Sequence, residues 1–324
     1  MAKDARDVSD KLDQRVLELA YRLMYQQTAS GSGGFEQVQA HWHSESSLYR
    51  FIPEYIPRPI AFDTYISRPD THFLLMDFVD MIDDDIPEPE AYMAPPIALH
   101  LRSTGQSPTG KFGFEVNTRF GHMSQSNDWE ESWQAWWTKH MKMVVSREEG
   151  IRGAHSPENK TLKDDFLSIV LPRYLNPLET GGRSIKPCLC HTDMWPGNVK
   201  YKLDNESRRR VKQWSALLSA SLTETVELSP FRNPRYPLGK PYIKEYHKYV
   251  PVSEPEEDAD DRLIIFLNNM RYLVNKVKHE EVGGQMPSKR GKVPSFGQGP
   301  GKREVTGTGD GVQPIGADFG AVVN

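Results

Sequence analysis

Residues 187–201, PCLCHTDMWPGNVKY, constrain the fold more than any other stretch of the sequence. The apolar Cys-Leu-Cys segment predicts a short buried strand, because free cysteine packs like a small hydrophobic residue. His191 and Asp193 follow on a loop, and the Pro-Gly pair predicts a tight turn just before Asn198. The stretch therefore predicts a strand that delivers an acid and an amide to the same loop.

The acid and the amide of this loop suit phosphoryl transfer. Asp193 is placed to accept the proton of a substrate hydroxyl, and Asn198 offers an amide oxygen to a magnesium ion. An Asp followed five positions later by an Asn has the spacing of a kinase catalytic loop. The alternative is a surface turn with an incidental acid and amide, and residues 191–198 alone leave that alternative open.

The run from Cys188 through Cys190 to His191 has an alternative interpretation as a metal site. Zinc normally takes four ligands in tetrahedral geometry, and the sequence contains only two cysteines. The buried strand is therefore the favoured interpretation.

The composition is that of a chain of 324 residues with a net charge of −4, which suggests one large domain or two lobes around a cleft. The excess of acid argues against nucleic acid as a partner, since binding a phosphate backbone needs a basic field. No apolar stretch approaches the roughly 20 residues that span a bilayer, and the charged N-terminus lacks the apolar core of a signal peptide. We expect a soluble, cytoplasmic protein with no membrane partner.

Hydrophobic spacing and helix breakers predict the order of elements. Helical spacing predicts helices over 8–27 and 35–51, with Glu45 inside the second. The following segments are predicted to be a connector at 52–62, a strand at 71–81, a helix from about Ile97, a long loop at 105–129, and helices at 129–149 and 161–175. The Trp-rich face of 129–137 is expected to be core rather than a ligand surface. Residues 282–324 are expected to be disordered, because that composition buries too little apolar area to offset chain entropy.

The octet HTDMWPGN resembles the HGDLWSGN loop of the fructosamine-3-kinase (ketosamine-3-kinase, protein-ribulosamine 3-kinase) family, a branch of the aminoglycoside-phosphotransferase-like kinases. Further stretches match in the same order, and the version they most resemble is fungal. These stretches are TASGSGGFEQVQAHWHSESSLYRFIPEYIPRPIAF, FLLMDFVDM, LHLRSTGQSPTGKFGF and NDWEESWQAWW. The resemblance covers about residues 25–206 and resumes at 231–280.

The resemblance implies an α+β, bilobal protein-kinase-like fold. Residues 1–80 would form a small N-terminal lobe with a mixed sheet, incomplete at its start, and the hinge would lie near 76–80. Residues 81–281 would form a larger, mainly helical C-terminal lobe that carries the catalytic loop.

The resemblance also implies the reaction. The γ-phosphate of ATP would pass to the 3-hydroxyl of a ketosamine, with Asp193 as the base and Asn198 as a ligand of Mg²⁺. The ketosamine would be a small molecule or a glycated lysine of a protein, and the phosphorylated adduct would then eliminate, which deglycates the protein.

The nucleotide site implied by the resemblance is incomplete. Main-chain groups of Met76, Asp77 and Phe78 would bind adenine, and Glu45 would hold the ATP-binding lysine. Gln27 stands where that lysine is expected, so the phosphates would meet an amide without positive charge. Glu45 would then lack its ion-pair partner.

A second departure lies in residues 207–230, where the family has a strand ending in a metal-binding Asp. This segment contains no Asp. Codons for 219–223 can encode Cys-Ile-Phe-Asp in another frame, so an error in the gene structure is one explanation and a diverged insertion is the other. The Asp-Phe-Gly at 318–320 lies too far from the loop to replace this ligand. The alternative function is therefore a catalytically impaired pseudokinase or a defective gene product that retains the fold.

Overall fold

A computed structural model describes much of the chain, and the architecture below refers to that part. The described residues are 24–79, 81–82, 86–120, 123–203, 209–213, 220–222, 227–233, 236–265 and 270–281. The predicted tail at 282–324, the Asp-Phe-Gly at 318–320 and most of the predicted first helix lie outside them.

The N-terminal part is a three-stranded sheet covered by one long helix. Its elements are β1 (Met24–Ser30), α1 (Gly34–Phe51), β2 (Pro59–Tyr65) and β3 (Arg68–Asp77). The strand order is β1-β3-β2, and α1 packs against the sheet over a small core of Val38, Leu74 and Met76. Both strand pairs are antiparallel, so the predicted mixed sheet is not found among the described strands.

The predicted helix over 8–27 is wrong where the structure describes it. Residues 24–27 lie in β1, where Gln26 and Gln27 pair with Leu75 and Leu74 of β3. Helical spacing over these few residues is outweighed by pairing with a strand far along the sequence. In contrast, α1 begins one residue before its predicted start and contains Glu45 as predicted.

The strand predicted at 71–81 is β3, which begins earlier, at Arg68, and ends at Asp77. The connector predicted at 52–62 ends sooner than expected, because β2 already begins at Pro59. Pairing within the β2–β3 hairpin explains both shifts. Arg68 pairs with Tyr65 beside the turn, and Pro59 pairs with Met76 at the far end of the hairpin.

The C-terminal part is mainly helical. Its helices are α2 (Pro89–Ser103), α3 (Trp133–Arg152), α4 (Pro157–Asp165), α5 (Leu171–Leu175), α6 (Lys240–Tyr246), α7 (Ala259–Ile265) and α8 (Met270–Glu281), with a π-helical turn at Phe166–Val170 between α4 and α5. The loop predicted at 105–129 contains a short hairpin of β5 (Thr118–Phe120) and β6 (Met123–Gln125). The described residues include no helix with the length and apolar character needed to cross a bilayer.

Two helix starts differ from the prediction. The α2 helix begins at Pro89 rather than near Ile97, and it carries Pro95 and Pro96 in its interior. Proline at the first helical position is favourable, and complete burial of Leu99 and its neighbours compensates for the interior prolines. The α3 helix begins at Trp133 rather than at 129, because the Ser132 side chain caps it.

The Trp-rich face of α3 is core, as predicted. Trp133, Trp136 and Trp137 are each at most 7% exposed. They stack on one another and pack into the main hydrophobic cluster. This burial removes them as a surface for a sugar.

Short strands frame the loop that carries Asp193 and Asn198. β7 (Cys188–Cys190) pairs with β10 (Ala220–Leu222), and β8 (Val199–Leu203) lies between β4 (Met81–Ile82) and β9 (Arg209–Gln213). The strand predicted at Cys-Leu-Cys is therefore present and buried. The unusual segment 207–230 supplies two of these strands, and β4 pairs with β8, the strand that follows the loop.

Candidate active site

The loop between β7 and β8 brings Asp193 and Asn198 together. The Asn198 amide nitrogen Nδ2 donates to the Asp193 carboxylate oxygen Oδ2 at 2.8 Å and to the Asp193 carbonyl oxygen at 2.9 Å. The Asn198 main-chain N–H donates to the Trp195 carbonyl at 2.9 Å, which closes the predicted turn. The amide oxygen Oδ1 takes no part in these bonds.

His191 supports the acid from the strand side. Its ring is completely buried, and Nδ1 accepts a hydrogen bond from the Asp193 main-chain N–H at 3.2 Å. Because Nδ1 is the acceptor of this bond, the ring N–H lies on Nε2. The imidazole therefore holds the main chain at Asp193 in place.

The electrostatics of the loop favour the protonated form of Asp193. Burial raises the pKa of this carboxyl above its ordinary value, and the nearby Glu227 carboxylate raises it further. The His191 ring and the hydrogen bonds from Asn198 and Trp195 oppose the rise without cancelling it. An acid whose pKa is raised in this way is a better proton acceptor once it is ionised.

Gly197 is required by the packing of this turn. A Cβ atom at position 197 would overlap the indole ring of Trp195, and the Trp195 side chain donates a hydrogen bond to Asp193. We expect Gly197→Ala to destabilise the protein by roughly 1–3 kcal/mol, the usual cost of overpacking. Chemical denaturation measures this.

The matched control for this change is Gly150→Ala. Gly150 lies within α3 with open space around its Cα atom. Alanine there should stabilise the protein by up to about 1 kcal/mol, because glycine is unfavourable inside a helix. Equal effects of the two changes would mean that Trp195 does not require glycine at 197.

Glu227 contacts the catalytic loop, and it was not predicted from the sequence. Its Oε2 atom accepts from the main-chain N–H groups of His191 at 2.7 Å and Thr192 at 3.2 Å. The side chain is completely buried. The one available signal was a glutamate between the apolar residues Val226 and Leu228, inside the segment that departs from the family pattern.

The structure favours the buried-strand interpretation of the two cysteines over a metal site. Cys188, Cys190 and His100 are buried together, with ligand atoms within 4.8 Å of one another. However, His100 Nδ1 lies 2.6 Å from the Tyr246 hydroxyl, and Nε2 lies 3.6 Å from the Glu227 carboxylate. With both ring nitrogens facing polar partners, the imidazole has no lone pair to offer a metal ion.

Gln27 contacts helix α1. Its Oε1 atom accepts from His41 Nδ1 at 2.8 Å. Burial lowers the pKa of His41 to about 4, with a smaller contribution from Arg119, so the imidazole is neutral at pH 7. The pair places Gln27 one helical turn from Glu45, since residues four apart share a helix face. Glu45 is completely buried, and it is not without a partner. The expectation that it lacks the lysine of an ion pair stays a prediction.

The residues of the predicted hinge differ in which groups remain accessible to bind adenine. The Asp77 main-chain N–H donates to the Arg58 carbonyl at 2.9 Å, which removes it from the groups that can bind adenine. Met76 is 1% exposed and belongs to the small core under α1. Phe78 follows the last residue of β3 and is 51% exposed, so apolar surface is accessible at the start of the hinge.

The sequence model of the fructosamine kinase family matches residues 38–209. A chloroplastic protein-ribulosamine 3-kinase of Arabidopsis thaliana is 28% identical over 109 residues, which are 33% of this chain and 30% of that relative. The match thus spans less than a third of that relative's length.

Two solved structures share the fold. A protein provisionally named fructosamine-3-kinase from Haemophilus somnus 129PT superposes with a TM-score of 0.56 at 15% identity, over 81% of this chain and 79% of that one. Its counterpart from Thermobifida fusca gives a TM-score of 0.53 at 18% identity, over 79% and 84%. At these identities the likeness concerns the fold, and it confirms the predicted α+β, kinase-like architecture.

Proposed function

The chain belongs to the fructosamine kinase family, and we propose that it transfers the γ-phosphate of ATP to the 3-hydroxyl of a ketosamine. The substrate would be a fructosamine or ribulosamine, either free or on a glycated lysine of a protein. The observation that carries the proposal is the contact between the Asp193 carboxylate and the Asn198 amide within one loop. The motifs around this loop resemble the fungal version of the family.

In this mechanism Asp193 accepts the proton of the attacking hydroxyl. The two hydrogen bonds from Asn198 Nδ2 hold the Asp193 main chain and carboxylate in one orientation. Proton acceptance by a positioned carboxylate lowers the barrier of the transfer. Asp193 is partly buried, which strengthens the electrostatic interactions of its carboxylate.

The loop offers Mg²⁺ a partial set of ligands. Magnesium prefers hard oxygen ligands, usually one or two protein groups together with water and substrate phosphates. Asn198 Oδ1 fits that chemistry, and it would hold the ion together with water and the substrate phosphates. When bound, magnesium would neutralise the charge that develops on the phosphates.

Adenine would bind at the hinge from Phe78 onward. The exposed Phe78 ring supplies apolar surface, whereas the Asp77 N–H is already bonded.

A cytoplasmic location is part of the same proposal. It is supported by the free state of Cys188 and Cys190, which is typical of a reducing compartment.

A second candidate function is a catalytically impaired member of the family that still binds nucleotide. Two observations favour it. Gln27 brings no positive charge to the phosphates, and its amide is bonded to His41. Among the described residues of segment 207–230, the one acid is Glu227, whose Oε2 atom is bonded to the loop main chain.

The test is incubation with Mg-ATP and fructosyl-lysine or ribosyl-lysine, with phosphate transfer followed across pH. We expect transfer whose acid limb lies above the ordinary pKa of an aspartate, because the raised pKa keeps Asp193 protonated to higher pH. Activity should therefore fall as pH falls through that raised pKa. Thermal stabilisation by Mg-ATP without phosphate transfer would support the impaired alternative. If Mg-ATP gives no stabilisation and no phosphate is transferred, both functions are excluded.

A further inference from the structure

Thr192 has an unfavourable main-chain conformation. Its φ angle is 64°, and within the described part of the chain it is the one residue other than glycine with positive φ. A β-branched residue rarely adopts this left-handed conformation, whereas glycine does so without steric cost. The HGDLWSGN loop of the family has glycine here. Thr192 directly precedes Asp193, so this turn decides where the carboxylate points.

The Glu227 carboxylate stabilises the unfavourable turn. It accepts the two successive N–H groups of His191 and Thr192, and hydrogen bonds to an ionised acceptor are stronger than neutral ones. Burial by itself would raise the pKa of Glu227, but the hydrogen bond and the charge of His100 outweigh it, with smaller contributions from His191 and the Thr192 N–H, and that pKa is lowered. The carboxylate is therefore ionised at neutral pH.

Glu227 is in turn connected to two helices. In α2, the His100 Nε2 atom lies 3.6 Å from Glu227 Oε2. The Nδ1 atom of the same ring lies 2.6 Å from the Tyr246 hydroxyl of α6. His100 and Tyr246 are at most 2% exposed. The turn at Thr192 is thus anchored to the body of the C-terminal lobe through a buried polar chain.

We propose that Glu227 is a positioning residue for Asp193. It holds the left-handed turn at Thr192, where the HGDLWSGN loop that this chain resembles has glycine. The inference rests on the proposed function, in which Asp193 is the base.

The test compares Glu227→Gln, Thr192→Gly and their combination. We expect Glu227→Gln to lower kcat by about 10²-fold with little change in KM, the scale of a misplaced catalytic group. Hydrogen exchange of the loop peptide, measured by mass spectrometry, should accelerate in the same variant. Adding Thr192→Gly should recover part of both losses, since glycine adopts the turn without Glu227. No recovery by Thr192→Gly would overturn the proposal.

Controls separate this role from general stability. Glu245→Gln removes another mostly buried glutamate, which pairs with Lys248 and not with the loop, and it should leave kcat and loop exchange unchanged. Thr192→Gly alone should raise the melting temperature, whereas Thr192→Ala should not, because alanine keeps the Cβ atom. Equal effects of glycine and alanine would contradict the proposal even if Glu227→Gln fails to fold.

The two proposals fail in different ways. Hydrogen exchange and melting temperature do not require turnover. If every variant and the original chain lack phosphate transfer, the proposed function is wrong. If hydrogen exchange of the loop peptide is unchanged in Glu227→Gln, the positioning role is wrong.

Discussion

Replacing Asp193 with asparagine is expected to abolish most phosphate transfer and yet to raise the melting temperature. The loss should be about 10²- to 10⁴-fold in kcat, the usual contribution of a general base. Asparagine keeps an oxygen that can accept the hydrogen bond from Asn198 Nδ2, so the loop should keep its shape.

The stability gain follows from the sign of the pKa shift. The pKa of Asp193 is raised in the folded protein, chiefly by burial, so folding favours the protonated form. At neutral pH the ionised carboxylate therefore costs stability, and this cost appears as pH rises above the pKa of the unfolded chain. A neutral side chain removes that cost. We therefore expect Asp193→Asn to melt a few degrees above the original chain at pH 7, and this difference should be smaller at pH 4.

Asp318→Asn is the matched control for Asp193→Asn. It removes an acid from the Asp-Phe-Gly triplet near the C-terminus, which has the letters of a kinase metal motif. We expect unchanged turnover in this variant. Loss of transfer in Asp318→Asn together with retention in Asp193→Asn would show that the base has been assigned to the wrong residue.

Local patterns predicted the parts of the molecule that local interactions determine. The Cys-Leu-Cys strand, the turn before Asn198 and helix α1 with Glu45 each depend on residues close in sequence. The burial of Trp133 and its neighbours follows from helical spacing of large apolar residues. These features contain the acid and the amide of the candidate site.

Partners that lie far along the chain explain what the sequence did not predict. β1 is a strand because Gln27 and its neighbours pair with β3, more than forty residues away. Glu227 reaches the loop across 36 residues to His191. The left-handed turn at Thr192 has no signal of its own, since threonine is not a residue that predicts positive φ.

Gln27→Lys is expected to raise kcat/KM for Mg-ATP by about 10- to 150-fold, because a hydrogen bond from a charged group contributes about 1.5–3 kcal/mol. Gln27 lies on β1 against α1, where its amide meets the neutral ring of His41. An ammonium group there would lie one helical turn from Glu45 and would give the phosphates the charge that glutamine lacks. The measurement is initial rate against ATP concentration at saturating fructosyl-lysine.

Gln27→Met provides the control for the charge, since methionine is similar in length and neutral. It should lose the hydrogen bond to His41 without any gain in kcat/KM. The lysine variant should also melt slightly lower than the original chain, because Arg119 already acts on His41 and a second cation nearby is repelled. If lysine and methionine give the same kcat/KM, Gln27 does not face the phosphates. A large gain with lysine would instead locate the impairment of this chain in the nucleotide site, because the catalytic loop would then have been competent before the change.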